Sequence, residues 1–194
     1  MEDVQNLVEI LNPQKSALVV WDVQKMLVNH IFNKDEFLTN VQNVLVSARE
    51  KRIPIFFTKI TSLPEQFESP ARKFFMKNRP RGFGFTPDGF DLAIDPKEGE
   101  MVLNKNTASI FVGTNFELIM RNAGLSTIVF TGISTEIGVE SSARDALNRG
   151  FFPVVATDAV SSSNEEAHSR SLQNLKNIML LLTTNDLISL WKNG

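Results

Sequence analysis

Six short apolar runs rich in β-branched residues, at 17–23, 54–58, 101–104, 127–131, 154–157 and 177–182, alternate with stretches whose apolar residues recur every three or four positions. Strands separated by amphipathic helices favour a parallel sheet covered on both faces, because a parallel connection needs a crossover that a helix supplies. The expected architecture is an α/β, three-layer sandwich with a six-stranded, mainly parallel, Rossmann-like sheet, organised as one domain over 1–194. Helices are expected over 35–51, 115–122, 135–148 and 185–192, with an amphipathic segment at 3–11. Ser163 with Glu166 three residues on predicts the start of another, as a capping box.

Several function classes fall away on composition. Twenty basic against twenty-two acidic residues give a net charge of −2, so no large positive field is available for nucleic acid. The chain contains no cysteine, which removes disulfides, thiolate metal sites and thiol nucleophiles. Neither a signal-peptide pattern nor an apolar run of about 20 residues occurs, so the expectation is a cytoplasmic protein with no membrane partner. His30 and His168 stand in different elements without acidic residues at metal-ligand spacing, so no metal and no cofactor is expected. For His168, within EEAHSRSLQNL, helix packing or a polar contact is the expected role. The GFGF run at Gly82 has no third glycine and follows no strand, and no P-loop pattern occurs.

The stretch from 60 to 99 breaks the alternation, holding five of the eight prolines and the tract FFMKNRPRGFGF. Long connections in compact domains are often functional, so a lid or interface segment is expected there. The alternative is a solvated excursion with a short helix near 70–76.

Chemistry concentrates at strand ends. Asp22 closes ALVVWDVQ, whose other residues suit burial on both sheet faces, and ligands of open α/β sheets bind at that carboxyl edge. A carboxylate there needs a partner or neutralisation. Lys105 follows MVLN at the end of another strand and can lie beside it. In TIVFTGISTEIGVESSARDALNRG a strand enters a sharp turn and then a helix, so amides at Ser134, Thr135 and Gly138 can bind an anion. Ordinary helix capping by Ser134 or Thr135 accounts for the same letters. GISTE falls one residue short of a nucleophile elbow, which leaves Ser134 a weak candidate nucleophile.

These spaced segments together resemble the isochorismatase-like, or cysteine hydrolase, superfamily. ALVVWDVQ is similar to its first strand, giving Asp22 and Gln24. LNKNTASIFVGTNFELIM and the segment that follows, to DAVSS, are similar in order to its lysine, S-x-F-x-G-T, T-G-x-x-T and A-x-D-A-x-x-R-G patterns. The resemblance implies a homo-oligomer, an Asp–Lys–Cys triad in the amidase branch, and a non-proline cis peptide at Ile133–Ser134. The family's cysteine falls on Gly138, so the covalent route is closed. Glycine there resembles true isochorismatases, in which an acid protonates a vinyl ether and water attacks where the thiol would sit. The resemblance therefore implies Asp22 as acid, Lys105 as its partner and holder of a substrate carboxylate, and a small, anionic substrate. Gln24, Phe111, Ser134 and Thr135 are the expected binding residues, with Trp21 and the tract near Phe83 as further lining. The turn's Ser134 and Glu136 depart from the aromatic and histidine residues that isochorismatases carry. The alternative is a non-catalytic binding or assembly protein.

Overall fold

Strands β1 (Ser16–Trp21) and β4 (Thr127–Ile133) are buried at every position, which is the pattern of central strands covered on both faces. The computed structural model describes residues 2–77 and 87–193, and in it the two strands are neighbours in a sheet ordered β3-β2-β1-β4-β5-β6. The other members are β2 (Ile55–Ile60), β3 (Met101–Lys105), β5 (Phe152–Ser161) and β6 (Leu180–Leu182). All five pairings are parallel.

Alternation along β1 divides the core. Leu18 and Val20 join one cluster with Phe37, Val41, Val44, Leu45 and Ala48 of α3 (Lys34–Glu50), the helix that the sequence spacing predicts. Ala17, Val19 and Trp21 join the other, with Phe116 and Met120 of a helix at Phe116–Asn122 and Ala143 and Ala146 of one at Glu140–Asn148. In chain order the helices are α1 (Glu2–Ile10), α2 (Lys25–Val28), α3, α4 (Pro70–Lys77), α5 (Phe116–Asn122), α6 (Glu140–Asn148), α7 (Glu165–Leu175) and α8 (Thr184–Asn193). Leu187 and Trp191 of α8 pack on the α3 side. Among the described residues no helix is long and apolar enough to cross a membrane.

Three local expectations need correction. The side chain of Asn164, not Ser163, caps α7 by accepting from the Ala167 amide at 3.0 Å, since asparagine serves as well as serine at that position. Strand β5 runs from Phe152 to Ser161, well beyond 154–157, because a register shift opposite Phe130 and Gly132 lets its pairing with β4 resume. Strand β6 is shorter than expected, because residues 176–178 belong to the turn that ends α7. Between 60 and 99 the structure supplies a short helix, α4. The Gly82 run and the aromatic tract around Phe83 lie outside the described residues.

Candidate active site

Strand order reverses between β1 and β4, so the connections leaving those strands diverge and open a crevice at their carboxyl ends. Asp22 follows β1 directly, and the turn beginning at Ser134 follows β4. Lys105 ends β3, two strands from β1, and its long stem spans the end of β2.

The backbone at Asp22 has φ 45°, a left-handed conformation that Asp tolerates better than most residues. This bend ends the strand. The Asp22 N–H donates to Thr58 Oγ1 at 3.0 Å, and the same hydroxyl donates to Asp22 Oδ1 at 2.5 Å. Lys105 Nζ donates to Asp22 Oδ2 at 2.6 Å and to the Thr107 carbonyl at 3.3 Å. The lysine side chain is 1% exposed and the Asp22 side chain 5%, so water barely screens the pair. Burial pushes the Asp22 carboxyl above its ordinary range, against the opposing pull of Lys105 and Thr58. Burial likewise lowers Lys105, which Asp22 resists and nearby Arg72 reinforces. Both shifts favour the uncharged forms.

Trp21 roofs this pair. Its ring lies 3.9 Å from Lys105 Nζ, a cation–π contact, and its indole runs on to the turn after β4. A Cβ placed on Gly138 would stand 1.9 Å from Trp21 Nε1 and 2.3 Å from Cε2. One on Gly132, whose φ is 115°, would stand 2.0 Å from the Trp21 carbonyl oxygen. Two glycines thus admit one tryptophan, whose side chain is enclosed at 1% exposure. The open space expected above Gly138, where a water would attack, is filled by indole.

The turn engages one of the three amides expected to bind an anion. The Ile133–Ser134 peptide is cis. The amides of Ile137, Gly138 and Val139 all donate back to the Ser134 carbonyl, at 3.1–3.3 Å, making a single π-helical turn over Thr135–Val139. The Gly138 N–H is therefore engaged inside the turn instead of facing an anion. Thr135 Oγ1 donates to the Ser161 carbonyl at 3.1 Å and contacts His168 Nδ1 at 2.8 Å, so it ties the turn to β5 and α7. His168 makes the polar contact expected of it and meets the Phe32 ring edge-on. The Ser134 hydroxyl is half-buried and has no hydrogen-bonded base among the described residues.

Two expected binding residues make structural contacts. The Gln24 amide accepts from the Ile60 N–H at 2.9 Å and donates to the Phe90 carbonyl at 2.8 Å and the Ile60 carbonyl at 3.4 Å. Fully buried, it clamps the end of β2 to the segment returning from the 60–99 excursion. Phe111 stacks on Phe151 and meets Phe116 edge-on inside the second core, with the Arg149 guanidinium over its ring. An aromatic letter alone gives no sign of which it contacts, core or ligand.

Two side chains at this site, Thr58 and Arg72, escaped the sequence reading, and Trp21, expected only as pocket lining, takes a different place. Thr58 holds Asp22 from the neighbouring strand, and Trp21 is a wedge and not a loose wall. Arg72, on α4, donates to the Asn106 carbonyl at 2.8 Å and pairs with Glu68, all through Nη1, and its side chain is 23% exposed. Its guanidinium, hydrogen-bonded to the residue after Lys105, acts electrostatically on the enclosed lysine. A strongly basic residue in a predicted lid was the available signal for it. Among the described residues no group of three His, Cys, Asp or Glu side chains could hold a metal ion.

Comparison with known proteins places these features in context. The isochorismatase domain model matches residues 16–186. The isochorismatase family protein YwoC of Bacillus subtilis is 31% identical over 166 residues, covering 82% of this chain and 85% of its own. The ureidoacrylate amidohydrolase RutB of Pseudomonas syringae is 27% identical, covering 86% and 79%. A crystal structure of a cysteine hydrolase from Pseudomonas syringae superposes with a TM-score of 0.84 at 17% identity, over 94% of each chain.

Proposed function

Because the chain belongs to the isochorismatase family of hydrolases, we propose that it works without a covalent intermediate, with Asp22 as the proton-transferring group and Lys105 as its electrostatic partner. The observation that carries this reading is the enclosed pair itself. A carboxyl held above its ordinary range by burial retains its proton closer to neutral pH, as a general acid must.

The substrate class is a small anionic vinyl ether such as isochorismate. Protonated Asp22 gives its proton to the terminal enol carbon, and the double-bond electrons form the new C–H bond. Water adds to the resulting oxocarbenium carbon, the hemiketal expels the ring alcohol as pyruvate forms, and a proton from that water returns to Asp22. The enclosure of Lys105 leaves Arg72, with Nε and Nη2 uncommitted among the described residues, as the better holder of a substrate carboxylate. A cytoplasmic homo-oligomer completes the proposal.

One observation favours a second reading, a non-catalytic binding or assembly protein: the Trp21 indole occupies the place above Gly138 where the attacking water was expected. Incubation with isochorismate and a pyruvate assay separates the two. Pyruvate from the native chain, abolished in Asp22→Asn, supports acid catalysis. No release from the native chain rejects it, and release only from Trp21→Val identifies the indole as the barrier.

A further inference from the structure

The pairing of Trp21 with Gly138 joins two positions far apart in sequence, one ending β1 and the other in the turn that follows the neighbouring β4. The indole fills the volume that any side chain at 138 would need, with three ring atoms inside 3 Å of the missing Cβ. The same ring reaches Lys105 Nζ at its other side. Nothing flexible is available to yield: Trp21 is 1% exposed, its carbonyl abuts Gly132, and Lys105 is held by Asp22 and Thr107.

We infer that Trp21 is the specificity-determining residue of this centre: its indole replaces the side chain of residue 138 beside Lys105 and so commits the site to chemistry without a protein nucleophile. This assignment rests on the non-covalent reading above. It makes the exclusion of a thiol a property of position 21 as much as of position 138. The remaining parts, namely the ammonium, the carboxylate and the turn, stand where a group at 138 would feel them once the ring is removed. A thiol placed there would lie on the ground the indole now covers, within the field of Lys105, and a neighbouring ammonium lowers a thiol's pKa.

The test uses the full chain and needs no substrate. Gly138→Cys is made with Trp21 retained and with Trp21→Val, and thermal melting and alkylation by iodoacetamide are followed from pH 5.5 to 9.5. In alkylation the thiolate sulfur attacks the methylene carbon and iodide leaves, so the rate reports the thiolate fraction. With Trp21 retained, Gly138→Cys should lower the melting temperature by about 5–10 °C, as overpacking of a fixed core does. In the Trp21→Val background the same change should be neutral or stabilising, and its thiol should titrate at least about one pH unit below the ordinary value of roughly 8.5. Equal effects in the two backgrounds, or a thiol titrating at its ordinary value in the double variant, overturn the inference. Should the double variant fail to accumulate folded, Trp21→Val with Gly138→Ala reads the same coupling by melting alone, and additivity there overturns it as well. Pyruvate release plays no part in these measurements, so failure of the acid-catalysis reading is registered separately.

Discussion

Replacing Lys105 by methionine isolates the energetics of the buried pair. Methionine keeps most of the apolar stem, so what disappears is an ammonium with three contacts: Asp22 at 2.6 Å, the Thr107 carbonyl at 3.3 Å and the Trp21 face at 3.9 Å. Removing one partner of a buried pair costs about 3–5 kcal/mol, because the other charge is left enclosed. For a domain of this length that corresponds to a melting temperature lower by roughly 6–20 °C. The loss should depend on pH in a definite direction. Burial raises the Asp22 carboxyl in the native protein, and Lys105 is the chief influence opposing that rise. Without the lysine it rises further. A carboxyl raised on folding holds a proton that the unfolded chain releases, so its stabilising share is complete below about pH 4 and is lost as pH rises through the folded value. The variant's deficit relative to the native chain should therefore be smallest near pH 4.5 and grow toward pH 7.5. Urea titrations followed by circular dichroism at those two pH values measure it. A deficit below about 1 kcal/mol, or one equal at both, would refute the reasoning. The double variant Asp22→Asn/Lys105→Met should be less destabilised at neutral pH than Lys105→Met alone.

Thr58→Val removes the hydroxyl that both accepts from and donates to Asp22, so it should cost about 1–3 kcal/mol in urea unfolding and raise the Asp22 carboxyl further, steepening the loss of stability between pH 4 and 7. Gln24→Ala should loosen the 88–92 segment, seen as faster amide hydrogen exchange at Ala93 and Lys25 with the Asp22–Lys105 pair intact; unchanged exchange would refute the clamp. Burial lowers His168 below its ordinary value against the opposing Glu136 and Glu165, so its stabilising share is present above about pH 6.5 and lost as pH falls through the folded value. His168→Asn should accordingly flatten the decline in melting temperature between pH 7 and 5. Sedimentation velocity of the native chain should show more than one copy per particle, and a monomer at micromolar concentration would refute the proposed homo-oligomer.

The parts of this protein legible in the sequence were those fixed by local periodicity. Buried runs such as 17–23 and the spaced apolar face of α3 recorded their environment in consecutive letters. Asp22 and Lys105 stood out because charged side chains at the ends of buried strands need a partner, and the topology brings them to one edge. Trp21 and Gly138 were less legible together, since their relation is one of volume between distant positions and neither letter alone implies the other. Gln24 was ambiguous for a related reason: an amide is equally suited to a ligand and to backbone groups, and here both of its N–H donors and one acceptor site of its oxygen meet the backbone of Ile60 and Phe90. Phe111 lies on the same side of that ambiguity, with core aromatics in place of backbone.

The left-handed backbone of Asp22 bears on how this centre should be dissected by mutation. Alanine lacks the short polar group that makes such a conformation tolerable, so an alanine scan at 22 would mix a main-chain penalty of roughly 1–2 kcal/mol with whatever the missing charge does. Asparagine keeps the bend and exchanges one accepting carboxylate oxygen for an uncharged NH2 donor, whereas glycine keeps the bend and deletes the whole side chain. Comparing these two separates an electrical contribution from a geometric one, and inactive alanine substitutions at this position would distinguish neither.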